Sequence, residues 1–100
     1  KDMPTAFVCN CDQTASMLIH ELESNGYRVP EDVSVVGYDN FLFMPVCDIA
    51  ITTYGVDMPE MAKAAAERII ARVKGLDKGP GRLSIISGNL IDKESVRALI

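Results

Sequence analysis

The spacing of apolar and polar positions changes several times along the chain, and each change marks an element. Residues 5–9 (T-A-F-V-C) form a short apolar, partly β-branched run that predicts a first strand. Ala15, Leu18, Ile19 and Leu22 then recur at helical spacing behind Asp12, a residue type that caps helix N-termini. Gly26 stands where that helix would close, with Tyr27 folding back. Val29-Pro30-Glu31-Asp32 predicts a turn, because proline holds its predecessor out of the helical region. Residues 33–36 are apolar without strict alternation, as in a strand covered on both faces. Together these make a strand–helix–strand unit the size of a parallel βαβ crossover, with the expected right-handed connection.

Residues 40–48 (N-F-L-F-M-P-V-C-D) are apolar but aperiodic, and Pro45 interrupts any helix. Two readings stand side by side: a loop folded onto its own domain, or a protein–protein surface, since contiguous exposed apolar patches mark contacts. Residues 49–54 (I-A-I-T-T-Y) predict a third strand. Asp57, Pro59 and Glu60 then supply a cap, a first-turn proline and the third-position acid of a capping box. Met61, Ala62, Ala65, Ala66, Ile69, Ile70 and Val73 continue as a wide apolar stripe to Gly75, which predicts a long helix over 58–74. After a Gly/Pro/Lys loop, residues 83–87 predict a fourth strand and 90–96 a more polar, edge-like fifth. The pattern is that of an α/β fold built from parallel-sheet βαβ units.

One hundred residues bound the chain to a single domain with a modest core. A net charge of −4, with Lys and Arg scattered, argues against a nucleic-acid surface. Cys9, Cys11 and Cys47 are an odd set in no disulfide-like framework, which points to reduced thiols and a cytosolic setting. No apolar run approaches the roughly 20 residues needed to span a bilayer. The start, Lys1-Asp2-Met3-Pro4, is neither a signal peptide nor an initiator methionine, and reads as a cut inside a longer protein.

Several chemistries can be set aside. Cys9 and Cys11 form C-x-C, but the chain has one histidine, His20, and no second pair to complete a tetrahedral metal site. Cys11 and His20, on a strand end and a helix, should diverge, so no cysteine nucleophile with its base is expected. Gly79-Pro80-Gly81 lacks a phosphate-loop pattern, and every predicted helix is flanked by strands, which excludes a helix-turn-helix. No cofactor or metal is expected.

What remains is a set of polar groups at strand carboxyl ends: Asn10, Cys11 and Asp12 after the first strand, Asp39 and Asn40 after the second. Parallel strands bring these ends to one edge of the sheet, where open α/β folds bind ligands. Amides and carboxylates there suit hydroxyl-rich small molecules, which both donate and accept hydrogen bonds. Against this stand plainer roles: Asp12 as a helix cap and Asp39 as a turn stabiliser.

The stretches 4–15 (P-T-A-F-V-C-N-C-D-Q-T-A), 26–40 (G-Y-R-V-P-E-D-V-S-V-V-G-Y-D-N), 51–53 (I-T-T), 58–62 (M-P-E-M-A) and 90–95 (L-I-D-K-E-S) fall in order along the chain. Together they resemble the C-terminal part of lac-repressor-type (LacI/GalR) transcription regulators. The resemblance implies part of an effector-binding domain with the two-lobe, type I periplasmic-binding-protein-like fold. It assigns 1–54 to the C-terminal lobe and 55–58 to a hinge crossing. Residues 58–86 become a helix and strand of the N-terminal lobe, and 88–100 the last strand of the C-terminal lobe. The DNA-binding headpiece lies outside this sequence.

The resemblance also implies roles. Asp39 matches the aspartate that hydrogen-bonds the effector, and Asp12 lies in the same polar cluster. Cys11 stands where the family usually has a ligand-touching asparagine. Val56 and Met58 match cleft-lining positions on the hinge side, so the pocket would be more apolar than usual. Ser16 and His20, with Phe43, Val46 and Cys47, match surfaces used for dimerisation. The implied partners are a sugar-like effector, a second copy of the protein, and operator DNA through the headpiece, with no membrane. The implied mechanism is a ligand-driven population shift, without catalysis. A periplasmic solute receptor of the same fold is the competing reading, weakened by the apolar 40–48 loop. An enzyme using Asp39 would need a second catalytic group, and the sequence offers none.

Overall fold

The computed structural model describes residues 2–100, so Lys1 lies outside the described residues. β1 (Ala6–Val8) and β2 (Ser34–Val36) pair in parallel, with Ala6 opposite Ser34, Phe7 opposite Val35 and Val8 opposite Val36. Parallel strands need a crossover connection, and α1 (Asp12–Ser24) supplies it. Ala15, Ile19 and Leu22 on α1 pack with Val29, Val33, Val35 and Ile51 into one buried core. Burying each large aliphatic side chain contributes about 1.5–3 kcal/mol, far more than a three-residue ladder can. The core, not the sheet, therefore holds this unit together.

α1 ends as the sequence predicts. Gly26 takes a φ of +90°, and the Tyr27 N–H donates back to the Leu22 carbonyl at 3.0 Å. Through the following turn the Val29–Pro30 peptide is cis, and Arg28 and Asp32 form a side-chain ion pair of 2.8 Å.

Beyond β2, the chain meets β3 (Thr53–Gly55) through backbone bonds from Gly37 to Thr52 and from Asp39 to Tyr54, both 2.9 Å. β4 (Asn89–Ile91) pairs antiparallel with β3, with Thr53 opposite Ile91 and Gly55 opposite Asn89. The expected third strand over 49–54 and fifth over 90–96 are thus shorter than the sequence suggests. Their remaining residues are joined by a backbone bond from the Glu94 N–H to the Ala50 carbonyl at 3.0 Å, and through side chains. The Thr52 N–H donates to Ser95 Oγ at 2.8 Å, the Lys93 N–H to Thr52 Oγ1 at 2.9 Å, and the Ala50 N–H to Glu94 Oε1 at 2.7 Å. Ser95 is fully buried, and its hydroxyl also donates to the Val35 carbonyl.

α2 (Met58–Val73) forms where expected. Asp57 Oδ1 accepts the Glu60 N–H at 3.0 Å, and Pro59 lies in the first turn. Gly75, at a φ of +73°, follows the end of the helix. The fourth strand expected over 83–87 is absent among the described residues, where Leu83 and Ile85 are 86% and 80% exposed. Instead that stretch is tethered to α2 by guanidinium groups. Arg68 donates to the Arg82 carbonyl at 3.0 Å and to Ser84 Oγ, and Arg72 to the Gly79 carbonyl at 2.9 Å. None of the α2 residues is buried. The chain divides into two compact units, Lys1–Gly55 with Asn89–Ile100, and Val56–Gly88.

Candidate functional site

Asp39 and Asn40 follow β2 with φ values of +91° and +55°. Residues other than glycine rarely occupy this region, Asp and Asn tolerate it best, and such strain clusters at functional sites. Two bonds hold the conformation: the Asp39 N–H reaches the Tyr54 carbonyl, and Asp39 Oδ1 accepts the Phe41 N–H at 2.8 Å. The turn-stabilising role is therefore real, and it uses one carboxylate oxygen. Asp39 Oδ2 has no hydrogen-bond partner among the described residues. Asn40 is fixed in turn by Lys93, whose Nζ donates to Asn40 Oδ1 at 3.0 Å.

Cys11 precedes α1 in an extended conformation (φ −159°, ψ 164°) and caps the helix in place of Asp12. Its Sγ accepts the Thr14 N–H at 3.5 Å and lies 3.3 Å from Thr14 Oγ1. Those contacts, the hydroxyl first, pull the Cys11 thiol below its ordinary value of 9.0. Cys9, packed against the core, is pushed the other way, chiefly by burial and secondarily by Cys11.

Asp12 departs from the expected arrangement. It is buried in the first turn of α1, with Oδ1 turned against Gly37 so closely that a Cβ there would sit 2.1 Å away. That oxygen has no hydrogen-bond partner among the described residues. Burial raises the Asp12 pKa, opposed in part by the Thr53 hydroxyl, with Asp39 adding to the rise. The residue neither caps the helix nor lines the hollow described next.

That hollow, about 400 Å³, is lined by Cys11, Gln13, Asp39, Phe41, Phe43 and Met44. Gln13 closes one wall with both ends of its amide: Nε2 donates to the Met44 carbonyl at 2.7 Å, and Oε1 accepts the Met44 N–H at 2.9 Å. Sequence reading missed this clamp, since nothing in the spacing of positions 13 and 44 announces it. It missed equally the stacked rings of Tyr38 and Tyr54, with centroids 5.8 Å apart and planes inclined by 11°. That stack depends on the pairing of two strand ends far apart in sequence.

Of the residues matched to dimer surfaces, His20, Phe43 and Val46 are exposed and Cys47 is half-buried. Ser16 is a correction: it is fully buried, so its side chain cannot meet a partner. It accepts hydrogen bonds from the Val46 and Cys47 amides and donates to Cys47 Sγ, which holds the loop from below. Val56 and Met58 lie in the second unit, half-buried and exposed respectively, at the entry to α2. Among the described residues no group of three or more His, Cys, Asp or Glu side chains could hold a metal ion, and no helix is long and apolar enough to cross a membrane.

Residues 1–96 match the periplasmic binding protein-like domain. The chain is 38% identical over 100 residues to the HTH-type transcriptional repressor PurR of Photobacterium profundum, covering 99% of this chain and 29% of that protein. Among solved structures it resembles the complex of the transcriptional regulator CelR with cellobiose, with a TM-score of 0.82, 28% identity, and coverage of 91% of this chain and 28% of that one. It also resembles the lac repressor dimer bound to operator and the anti-inducer ONPF, with a TM-score of 0.80, 25% identity, and coverage of 95% and 32%. The chain thus spans less than a third of each of these relatives. It belongs to the periplasmic binding protein-like family, as part of an effector-binding domain of the LacI/GalR type.

Proposed function

We propose that this chain is the effector-binding and dimerisation part of a cytoplasmic, ligand-responsive transcription repressor, and that its ligand meets Asp39. The observation that carries the reading is the unspent Oδ2 of Asp39, a residue held at positive φ beyond β2 that lines a hollow. Cys11 borders the same hollow and is the second ligand contact. For Val56 and Met58 the assignment to ligand rests on the family resemblance alone; Asp12 is assigned from its place in the polar cluster after β1, and its burial counts against direct contact.

The ligand is a sugar or a related hydroxylated metabolite, a reading favoured by the likeness to a regulator solved with cellobiose. The two compact units are assigned to portions of the two lobes of the family fold, a reading supported by the way the chain leaves the first unit and returns to it. Operator binding belongs to a headpiece outside this sequence, and a second copy docks on the exposed loop around Phe43 and Val46, near His20. The likeness to a repressor solved as an operator-bound dimer supports both points. Ligand then shifts the balance between two arrangements of the dimer, and needs differential affinity for them to do so.

The deciding experiment is Asp39→Ala in the full-length protein, read by operator release on addition of a library of sugars and nucleosides. Loss of response with an unchanged thermal melt is the expected result. Unfolding of the variant would make Asp39 structural and remove the assignment.

A further inference from the structure

Asp39 and Asn40 are successive non-glycine residues at positive φ, a conformation that persists only where its surroundings hold it. Three contacts hold this one from outside the turn. The Tyr54 carbonyl accepts the Asp39 N–H at 2.9 Å, and the Thr53 hydroxyl accepts the Asn40 N–H at 3.3 Å. The third is the Lys93 ammonium, which donates to Asn40 Oδ1 at 3.0 Å. The first two are built into β3, where Thr53 is fully buried. Lys93 is different, because both it and Asn40 are exposed. Its backbone is nevertheless locked. The Lys93 N–H donates to Thr52 Oγ1 at 2.9 Å, and the next residue, Glu94, donates its N–H to the Ala50 carbonyl at 3.0 Å. The side chain thus reaches Asn40 from a fixed point. An exposed bond adds little to overall stability, because water competes for both groups.

We propose that Lys93 is a positioning residue for the ligand: by holding Asn40 at positive φ it keeps the preceding Asp39 carboxylate in the geometry that accepts a ligand hydroxyl. The proposal rests on the reading that Asp39 meets ligand, and it adds how that carboxylate is kept preorganised. A contact so placed acts on affinity rather than on folding. Without it the turn samples other φ values, and ligand must select the competent one, which weakens apparent binding by the fraction of time the turn is wrong. Of the three contacts, this is the one that can be removed without touching a buried side chain or the backbone.

The test is peptide-resolved hydrogen exchange and calorimetric titration of the full-length protein. Wild type is compared with Lys93→Met, Lys93→Arg, Asn40→Gly and the Lys93→Met/Asn40→Gly double variant, with Asp39→Ala as reference. The probes are glucose, galactose, ribose, cellobiose and adenosine. In Lys93→Met the amides of residues 39–41 should exchange about tenfold faster, the ratio expected for losing one hydrogen bond from a charged donor. Exchange along α1 and the thermal melt should stay as in wild type. Lys93→Arg retains a donor and should keep exchange slow. Asn40→Gly has no Oδ1, so adding Lys93→Met to it should change nothing further. The probe whose binding Asp39→Ala abolishes should bind about tenfold more weakly to Lys93→Met. Unchanged exchange at 39–41 in Lys93→Met would overturn the proposal, as would a rise spread equally over α1, which marks a general loss of stability. A probe lost in Asp39→Ala but bound at full affinity by Lys93→Met would overturn it too, with the Asp39 reading left standing. A probe bound equally by wild type and Asp39→Ala would overturn both readings. No binding by any probe at millimolar concentration would overturn the ligand class, and exchange alone would then decide the role of Lys93.

Discussion

The hydroxyl of Ser16, buried on α1, lies 2.9 Å from the amide nitrogen of Val46 and accepts its hydrogen bond. The Cys47 N–H donates to the same oxygen at 3.2 Å. One side chain thus satisfies two backbone donors of a loop whose own residues are mostly exposed. Ser16→Ala leaves those donors unpaired and should cost about 1–3 kcal/mol, read as a shifted denaturation midpoint. Faster proteolysis within residues 41–47 should accompany it. A variant as stable and as protease-resistant as wild type would show that the loop is held by something else.

Phe43 exposes 77% of its surface next to Met44 and Val46, at 63% and 46%. If that patch is covered by a second copy, Phe43→Asp forces a charge into an apolar contact and should give monomers in sedimentation velocity. Circular dichroism should stay unchanged, because the side chain supports nothing in its own chain. An unaltered dimer mass would move the interface elsewhere.

Asp12 and Asp32 should respond to acid in opposite senses. Arg28 holds the Asp32 carboxyl at about 2, against an ordinary 3.8, first through their side-chain hydrogen bond. As pH falls the unfolded chain takes that proton first, so the stability from this clasp is complete above the ordinary value and disappears as pH falls through about 2. Asp12 is raised by burial, so the folded protein takes its proton first and this group favours folding more as the solution is acidified. Urea midpoints measured from pH 7 to pH 2 check both. The gap between wild type and Asp32→Asn should close below pH 4, and Asp12→Asn should compare best with wild type at neutral pH. A gap for Asp32→Asn that stays constant to pH 2 would sink the assignment of that clasp.

Two glycines should differ sharply when given a methyl group. A Cβ on Gly37 would sit 2.1 Å from Asp12 Oδ1 and 3.1 Å from its Cα, so the start of α1 itself would have to move. On Gly55 the nearest atom, at 2.6 Å, is the Cδ1 tip of Ile91, which can rotate away. Gly37→Ala should therefore destabilise by about 1–3 kcal/mol, within the range of overpacking, and Gly55→Ala clearly less. The combination of Gly55→Ala with Ile91→Val should recover part of the smaller loss. Equal midpoints for the two single variants would contradict the geometry.

The elements that carry their own signals were legible in the chain. Asp57, Pro59 and Glu60 announce the start of α2, and Ala15, Ile19 and Leu22 are both the periodic positions of α1 and its buried ones. The cap of α1 was misassigned to Asp12 because aspartate is the commoner cap, and nothing in the sequence shows that its carboxyl is drawn under Gly37. Residues 83–87 have strand-forming side chains but no paired backbone, and propensity supplies no partner. Ser95 was invisible for the opposite reason: a serine in a polar stretch becomes a buried junction only once residues 35 and 52 have come beside it. The place of Asp39 just beyond the carboxyl end of β2 was readable from the valine run before it. The Gln13 clamp and the burial of Ser16 needed the fold.

The pairing of Gly55 with Asn89 has a topological consequence. The chain leaves the first unit at one end of a rung and re-enters at the other, so all of Val56–Gly88 is an insertion between two bonded neighbours. Replacing it by a two-residue Asn-Gly turn would make β3 and β4 an ordinary hairpin. The core of Ala15, Ile19 and Val35 would lose none of its members, since every one of them lies outside the excised segment. Both connections to the second unit thus leave the first unit from one rung, the Gly55–Asn89 pair.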